Sequence, residues 1–373
     1  MSEELRRSPL HELHVESGAV LAPFAGWQLP LRFSSETTEH GAVRSAAGLF
    51  DLSHMGQIHV NGPGATAVLD QVVVSDIAAV APGRAKYTVM CDDAGGVVED
   101  LIVYRLGERQ LLVIANAVNA GLVERALAEA AVGRDAQVSA ASDALIAVQG
   151  PRAAEILAAV AGDPAALAAV RPYGCCRTLV AGVPAFVART GYTGEDGFEV
   201  SVAASRAEPV WRALRAAGSG HGLVSAGLAC RDTLRLEAGM ALYGHELTRE
   251  VDPFQAGLGR VVAFGKAANF TGRAALEGLR DRPPGRVRSG VVATGRRILR
   301  AGQSLRGGQT PGEVTSGAWS PTLQRSIALA YLPVEIADPG TRLVATVRGS
   351  DVEAEVTPIP FYRRPRPQSG AAT

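Results

Sequence analysis

The alternation of apolar and polar residues divides most of the chain into short strands and amphipathic helices. Residues 58–69 and residues 146–157 show the same order: a short apolar strand, a Gly-Pro turn and an Ala-rich helix. Each of these segments leads into apolar strands separated by turns that are rich in Gly and Asp. We interpret the similarity as an internal duplication of one α+β unit.

The strands after each segment are predicted to pair as antiparallel hairpins. Residues 87–89 and 98–104 form the predicted hairpin of the first copy, and residues 186–188 and 198–202 form that of the second. The remaining predicted elements of the two copies are strand 110–115, helix 117–131 and helix 206–217.

The pattern changes near Gly285, where short apolar strands punctuated by Gly and Pro begin. These strands lie at residues 287–293, 313–317, 327–333, 342–348 and 351–356. Short strands with turns at this spacing are typical of a small β-barrel or sandwich. The pattern therefore predicts an α+β protein whose C-terminal part is all β.

Composition narrows the possible functions. The 373 residues exceed one ordinary domain, so two or three domains are expected. Lys and Arg total 37, and so do Asp and Glu, so the chain lacks the net positive charge that is typical of proteins that bind nucleic acids or anionic membranes. The four cysteines form no CxxC pair, and no apolar run is long enough to span a membrane. We expect a cytoplasmic protein with a small-molecule or protein partner.

Two adjacent acids stand where a buried strand is predicted to begin. Glu99 and Asp100 follow a Gly-Gly turn, and neighbouring strand residues point to opposite faces. One interpretation is a hairpin edge with two solvated acids. The other is that one acid is solvated while the second is buried with a partner. Glu199 has a similar place in the second copy, so two facing units would each aim an acid at a shared cavity.

Other polar residues give further indications. Helix 229–239 places Arg231 and Arg235 on one face. One interpretation is a helix with ion pairs on its surface; the other is that a single arginine points inward and provides the positive charge opposite the two acids. The seven histidines lack the helical spacing of a zinc pair, so no metal site is predicted. The sequence contains no dinucleotide-binding, P-loop or nucleophile-elbow motif.

Six ordered motifs resemble those of one enzyme family. They lie at residues 23–30 (PFAGWQLP), 48–56 (GLFDLSHMG), 95–105, 190–200, 228–245 and 270–276 (FTGRAAL). Together they are similar to the T-protein family of the glycine cleavage system, the tetrahydrofolate-dependent aminomethyltransferases. The similarity extends from residue 8 to residue 364.

The resemblance implies three domains around a central folate pocket. Residues 1–55 with 140–275 would form a discontinuous α+β domain, and residues 56–139 a ferredoxin-like α+β domain. Residues 276–373 would form a C-terminal β-barrel. This arrangement agrees with the duplication and with the change of pattern near Gly285.

The resemblance also implies a set of site residues. Asp100 falls on the family's catalytic aspartate, and Glu199 falls on the acid that binds the pterin. The other positions that match folate-binding residues are Arg231, Tyr192, Asn116, Tyr87, Met55, Tyr362 and Arg363. The resemblance thus suggests that Asp100 is a buried acid that takes part in folate chemistry.

The implied activity is the transfer of a one-carbon group. A lipoylated carrier, the H-protein, would present an aminomethyl group, and its carbon would pass to the co-substrate tetrahydrofolate. The products would be ammonia and 5,10-methylenetetrahydrofolate. Related alternatives are a folate-dependent demethylase and a folate-binding accessory protein of iron–sulfur assembly. A binding module without catalysis is an alternative of a different class.

Overall fold

A computed structural model describes residues 4–365, so the predicted domain ends at residues 1–3 and 366–373 lie outside the described residues. The strands, in chain order, are β1 (Arg6–Arg7), β2 (Val20–Phe24), β3 (Trp27–Arg32), β4 (Ala47–Asp51), β5 (Gly56–Asn61), β6 (Arg84–Cys91), β7 (Val97–Gly107), β8 (Gln110–Ala115), β9 (Gln137–Ala141), β10 (Ala144–Gln149), β11 (Cys175–Val180), β12 (Val183–Ala188), β13 (Gly197–Val202), β14 (Leu223–Ser225), β15 (Arg286–Ala293), β16 (Ser304–Arg306), β17 (Gly312–Ser320), β18 (Arg325–Pro333), β19 (Arg342–Val347) and β20 (Ser350–Thr357).

The helices separate these strands into groups. In chain order they are α1 (His11–Glu16), α2 (Glu36–Ser45), α3 (Ala65–Val72), α4 (Ala120–Ala131), α5 (Ala153–Ala158), α6 (Pro164–Ala169), α7 (Ala207–Gly218), α8 (Leu228–Glu237) and α9 (Arg273–Arg280). Within residues 4–365, no helix is both long and apolar enough to cross a membrane.

Two sheets that share the order of four strands, β6-β7-β8-β5 in one and β11-β12-β13-β10 in the other, contain the predicted duplication. One sheet has the order β6-β7-β8-β5-β9, and the other has the order β11-β12-β13-β10-β4-β14. In each sheet the strand before the Gly-Pro turn, β5 or β10, pairs antiparallel with the second strand of a hairpin. Strands β5, β7, β8 and β9 with helices α3 and α4 have ferredoxin-like βαββαβ connectivity, and β6 adds an edge strand. The duplicated α+β fold is confirmed.

The predicted alignment of the two hairpins is wrong by one strand. By sheet order, β12 and β13 correspond to β7 and β8, whereas the sequence pattern matched them with β6 and β7. The cause is the edge strand β11, which the pattern missed because its Cys-Cys-Arg-Thr start is neither apolar nor strongly alternating and is only half-buried. Asp100 on β7 and Glu199 on β13 therefore come from strands that are not equivalent in the repeat.

The two sheets pack face to face, and helices cover their outer faces. Tyr104 and Leu112 of one sheet meet Phe50 and Leu145 of the other in a shared apolar core. Helices α3 and α4 pack on the back of the first sheet, and α5 and α7 pack on the back of the second. Strand β10 and most of β7, in the middle of the sheets, are buried on both faces, so a polar side chain there is buried whichever way it points.

The C-terminal part is a closed barrel, as the strand pattern predicts. Its six strands follow the order β15-β18-β17-β16-β19-β20, and Val291, Leu305 and Leu343 are among the residues that fill it. Alternating inward and outward residues along each strand produce this apolar interior with a polar exterior.

A buried carboxylate joins the barrel to the helices of the N-terminal part. Glu237, at the end of α8, accepts hydrogen bonds from Arg44 (2.8 Å) on α2 and from Ser320 (2.5 Å) in the barrel. His40 Nε2 lies 3.1 Å from the same carboxylate. Burial alone would raise the pKa of Glu237, but His40, Ser320 and Arg44 hold it at about 2. The group is therefore an anion that depends on its partners.

We expect the change Arg44→Ala to lower the free energy of unfolding by roughly 3 kcal/mol, because it leaves the buried Glu237 charge short of a partner. Denaturant unfolding measures this loss. The control is Arg212→Ala, which breaks an exposed pair with Glu208 and should change the free energy of unfolding much less. Equal losses of unfolding free energy in the two variants would contradict a stabilising role for the buried contacts of Glu237.

Candidate active site

A cavity of about 280 Å³ lies where the two sheets, the segment after α8 and the barrel meet. Seven of the nine residues predicted from the sequence line it: Met55, Tyr87, Asp100, Asn116, Tyr192, Glu199 and Arg231. The rest of its wall is largely apolar, with side chains such as Leu52, Ile102, Ile114 and Leu258. A concave apolar site with a few convergent polar groups is typical of small-molecule recognition.

The other two predicted residues lie elsewhere. The guanidinium carbon of Arg44 lies 4.0 Å from the ring centroid of Tyr362. The backbone N–H of Tyr362 donates to the Glu237 carbonyl oxygen at 2.8 Å, which holds the segment against α8. Arg363 is exposed. Neither residue lines the cavity, so their contact with a ligand stays a prediction from resemblance.

Asp100 faces the cavity because of its place on β7. It shares a strand face with Ile102 and Tyr104, which point toward the opposite sheet. The Tyr87 hydroxyl donates to Asp100 at 3.0 Å, and the Asn116 side-chain amide donates at 2.9 Å. Burial raises the pKa of Asp100 to about 6, although these two donors act in the opposite direction. The carboxyl group is thus poised to exchange a proton near neutral pH.

Glu99 points to the opposite face and is fully buried. Its carboxylate accepts from the backbone N–H and the side-chain amide of Asn116, both at 2.7 Å, and from the Asn119 amide at 2.5 Å. Burial and the charge of Asp100 raise the pKa of Glu99 to about 8. The interpretation of a hairpin edge with two solvated acids is wrong, because helix α4 and the loop before it cover the face on which Glu99 lies. Asn116 bridges both acids.

Glu199 enters the cavity from the other sheet. Thr190 Oγ1 donates to its Oε2 at 2.5 Å, and the Tyr104 hydroxyl donates to the same oxygen at 3.2 Å. Burial raises the pKa of Glu199 against the effect of these donors. Both protein donors use Oε2, which leaves Oε1 to accept a hydrogen bond from a ligand.

Arg231 supplies a cation to the same cavity. It projects from α8 with its guanidinium carbon 4.7 Å from the centroid of the Tyr192 ring. The Tyr192 hydroxyl in turn donates to the Ala241 carbonyl oxygen, which fixes the ring. Within residues 4–365, no carboxylate lies within 4.0 Å of the Arg231 guanidinium. Its donors can therefore serve a ligand.

The sequence did not reveal two further polar contributors. Arg288, on barrel strand β15, lines the cavity and donates to the carbonyl oxygens of Gly239 (2.9 Å) and Ala256 (3.0 Å). Nothing in the local pattern marks it, because barrel strands commonly carry charged residues at alternate positions. Tyr104 could have been found from the sequence, because it lies four residues after Asp100 on the same strand and therefore on the same face.

The fold and cavity define a class of protein before any comparison. Buried acids with raised pKa values line an apolar cavity together with an arginine that has no carboxylate partner among the described residues, as in an enzyme that acts on a small polar molecule. Residues 10–266 match the GCVT N-terminal domain, and residues 286–363 match the glycine cleavage T-protein C-terminal barrel domain. The chain therefore belongs to the glycine cleavage T-protein family of aminomethyltransferases.

Relatives and a solved structure agree with this assignment. An aminomethyltransferase of Streptomyces avermitilis is 54% identical over 366 residues, covering 96% of this chain and 98% of the relative. One from Symbiobacterium thermophilum is 42% identical over 382 residues, covering 98% and 99%. The crystal structure of the glycine cleavage system aminomethyltransferase T from Bartonella henselae matches with a TM-score of 0.91 and 34% identity, covering 97% of this chain and 99% of that one.

The hydrogen bond from Tyr87 to Asp100 can be tested directly. A donor stabilises the ionised carboxylate, so Tyr87→Phe should raise the pKa of Asp100 above about 6, by about one pKa unit. Carbon-13 NMR titration of labelled aspartates measures this value. Tyr331→Phe is the control, because the Tyr331 hydroxyl donates to the Glu246 carbonyl oxygen instead. An unchanged or lower pKa in Tyr87→Phe would contradict the assigned contact.

Proposed function

We propose that this chain is a tetrahydrofolate-dependent aminomethyltransferase that accepts its one-carbon group from the lipoylated H-protein. The products would be 5,10-methylenetetrahydrofolate, ammonia and the reduced lipoyl arm. The observation that carries the proposal is the convergence of Asp100, Glu199 and Arg231 on one cavity in a member of this family. The family membership favours this reaction over a demethylation or an accessory folate-binding role.

The residues present fit a folate. The pterin edge carries adjacent N–H donors on its 2-amino group and N3, and a carboxylate can accept both as a fork. No described residue donates a hydrogen bond to Glu199 Oε1, and Arg231 offers donors to an acceptor on the same ligand. The Tyr192 ring packs against the Arg231 guanidinium, and the apolar walls of the cavity suit the flat faces of the pterin rings.

Asp100 is the proposed catalytic residue. When bound, tetrahydrofolate supplies the nitrogen nucleophile, and the described lining contains no Cys, Ser, Lys or His side chain to compete for that role. The task of the chain is then positioning and electrostatics. Asp100 would stabilise positive charge at the transferred carbon and accept or return a proton, for which a pKa of about 6 is suitable. Asn116 and Tyr87 hold its carboxylate in place.

Asp100→Asn keeps the size of the side chain and removes its charge. We expect turnover to fall by about 10²–10³-fold with little change in folate affinity, because the lost interaction acts mainly in the transition state. Formation of methylenetetrahydrofolate and ammonia from tetrahydrofolate and aminomethyl-loaded H-protein measures turnover. The control is Asp281→Asn, whose side chain is 75% exposed. Wild-type turnover in Asp100→Asn would remove Asp100 from the mechanism.

Glu199→Gln should have the opposite signature. The amide cannot accept the pterin N–H groups as a charged fork, so the folate Kd should rise by roughly 10- to 100-fold, corresponding to about 1–3 kcal/mol. Calorimetric titration with tetrahydrofolate measures it, and Glu108→Gln on the surface is the control. Folate binding without turnover in the wild type would favour the accessory or demethylase alternatives. No folate binding at all would exclude the proposed function.

A further inference from the structure

A second, smaller cavity of about 40 Å³ adjoins the large one. The two cavities share Met55, Asn116, Arg231, Leu242 and Tyr243 as wall residues. A volume of ~10–15 Å³ on this measure holds one water-sized molecule, so the small cavity accepts one or a few such molecules and no large substrate group. It lies directly beside the proposed site of chemistry at Asp100, because Asn116 contacts both.

Among the described residues that line the smaller cavity but not the larger one, His54 is the one with a polar side chain. It is only 3% exposed, and neither ring nitrogen has a hydrogen-bond partner within residues 4–365. Its ring packs edge-on against Phe24 with the centroids 5.6 Å apart, which fixes its position. Buried polar atoms are rarely left unpaired, because each costs free energy. A small polar ligand in this cavity would supply what His54 lacks.

The proposed reaction generates such a molecule. Aminomethyl-dihydrolipoyl protein and tetrahydrofolate give methylenetetrahydrofolate, the free thiol and ammonium, so that two folate N–H protons balance one S–H and one N–H. When the carbon–nitrogen bond of the protonated aminomethyl group breaks, the electron pair stays on nitrogen. The nitrogen therefore leaves as neutral ammonia, which is about the size of a water molecule.

We propose that the small cavity is the site that receives this ammonia, with His54 as its hydrogen-bond partner. The inference rests on the proposed aminomethyl transfer. Ammonia has three N–H donors and one lone pair, and the wall offers a neutral imidazole, the Asn116 amide and the Arg231 guanidinium to match them. Burial and the Arg231 charge lower the pKa of His54 to about 3, so the ring stays neutral and keeps one nitrogen as an acceptor.

The nearby charge selects the form of the ligand. Arg231 is a cation on the wall and has no carboxylate within 4.0 Å among the described residues, so it disfavours ammonium in the same space. Neutral ammonia can accept a hydrogen bond from the guanidinium through its lone pair, whereas ammonium cannot. The cavity would thus separate the product from the reacting carbon until it escapes and takes up a proton in solvent.

Ammonia is a substrate when the reaction is run in reverse, which provides the test. The assay uses methylenetetrahydrofolate, dihydrolipoyl H-protein and varied ammonium chloride at one alkaline pH. We expect His54→Leu to raise the KM for ammonia about tenfold, because the acceptor is lost, while the KM for methylenetetrahydrofolate stays within about twofold. His54→Asn and His54→Gln place an amide oxygen near one or the other ring nitrogen, and one of them should restore most of the lost affinity.

Each other result would overturn the inference. An unchanged KM for ammonia in a folded His54→Leu enzyme would mean that the cavity holds only water. A parallel rise in both KM values, without rescue by either amide, would assign His54 a structural role. A wild-type enzyme that neither forms nor consumes ammonia would exclude the proposed function and this site with it.

A binding measurement provides a readout that does not depend on turnover. The chain has seven histidines, and comparison with His54→Gln identifies the His54 ring signals in a nitrogen-15 NMR spectrum. Titration with ammonia at fixed pH should shift the His54 signals and saturate, while those of exposed His245 should not change. Shifts of equal size and no saturation at both histidines would contradict a site at His54.

Discussion

Tyr104 joins the two duplicated sheets behind Glu199, a residue that lines the large cavity. Its side chain leaves β7 on the same face as Asp100, and its hydroxyl reaches Glu199 in the other sheet at 3.2 Å. Its ring packs edge-on against Phe186 with the centroids 5.2 Å apart. Because strand side chains alternate, this contact also fixes Asp100 on the cavity side and Glu99 on the helix side. The geometry of both acids therefore depends on one interface between repeats.

The sequence predicted those features of the fold that follow from the pattern of residues within a single segment. Period-two alternation placed Glu99 and Asp100 on opposite faces, and the resemblance selected Asp100 as the cavity acid, which is where the structure has it. The repeated strand, Gly-Pro turn and helix predicted the duplicated sheets, and the spacing of short strands after Gly285 predicted the barrel. Each of these features depends on neighbours that are close in sequence, so a single chain is enough to reveal it.

The remaining features depend on contacts between distant segments. The burial of Glu99 arises because Asn116 and Asn119, at the end of another strand, supply its donors. Arg288 reaches the cavity only because the barrel docks there, and a barrel strand alone does not indicate it. Tyr362 matches the family in sequence, yet it packs on Arg44 in the structure. In each case tertiary packing decides which groups a side chain meets, and local sequence does not contain that information.

The separation of Arg231 from the two acids is itself informative about function. A buried arginine with a carboxylate at bonding distance would satisfy both charges and leave neither for a ligand. Here the guanidinium lies on the Tyr192 ring, while Tyr104 and Thr190 donate to Glu199 in its place. Neutral donors stabilise the acid less than an arginine would, which agrees with its raised pKa. The fold thus accepts a cost in stability to hold opposite charges apart, and a ligand with complementary groups offsets that cost on binding.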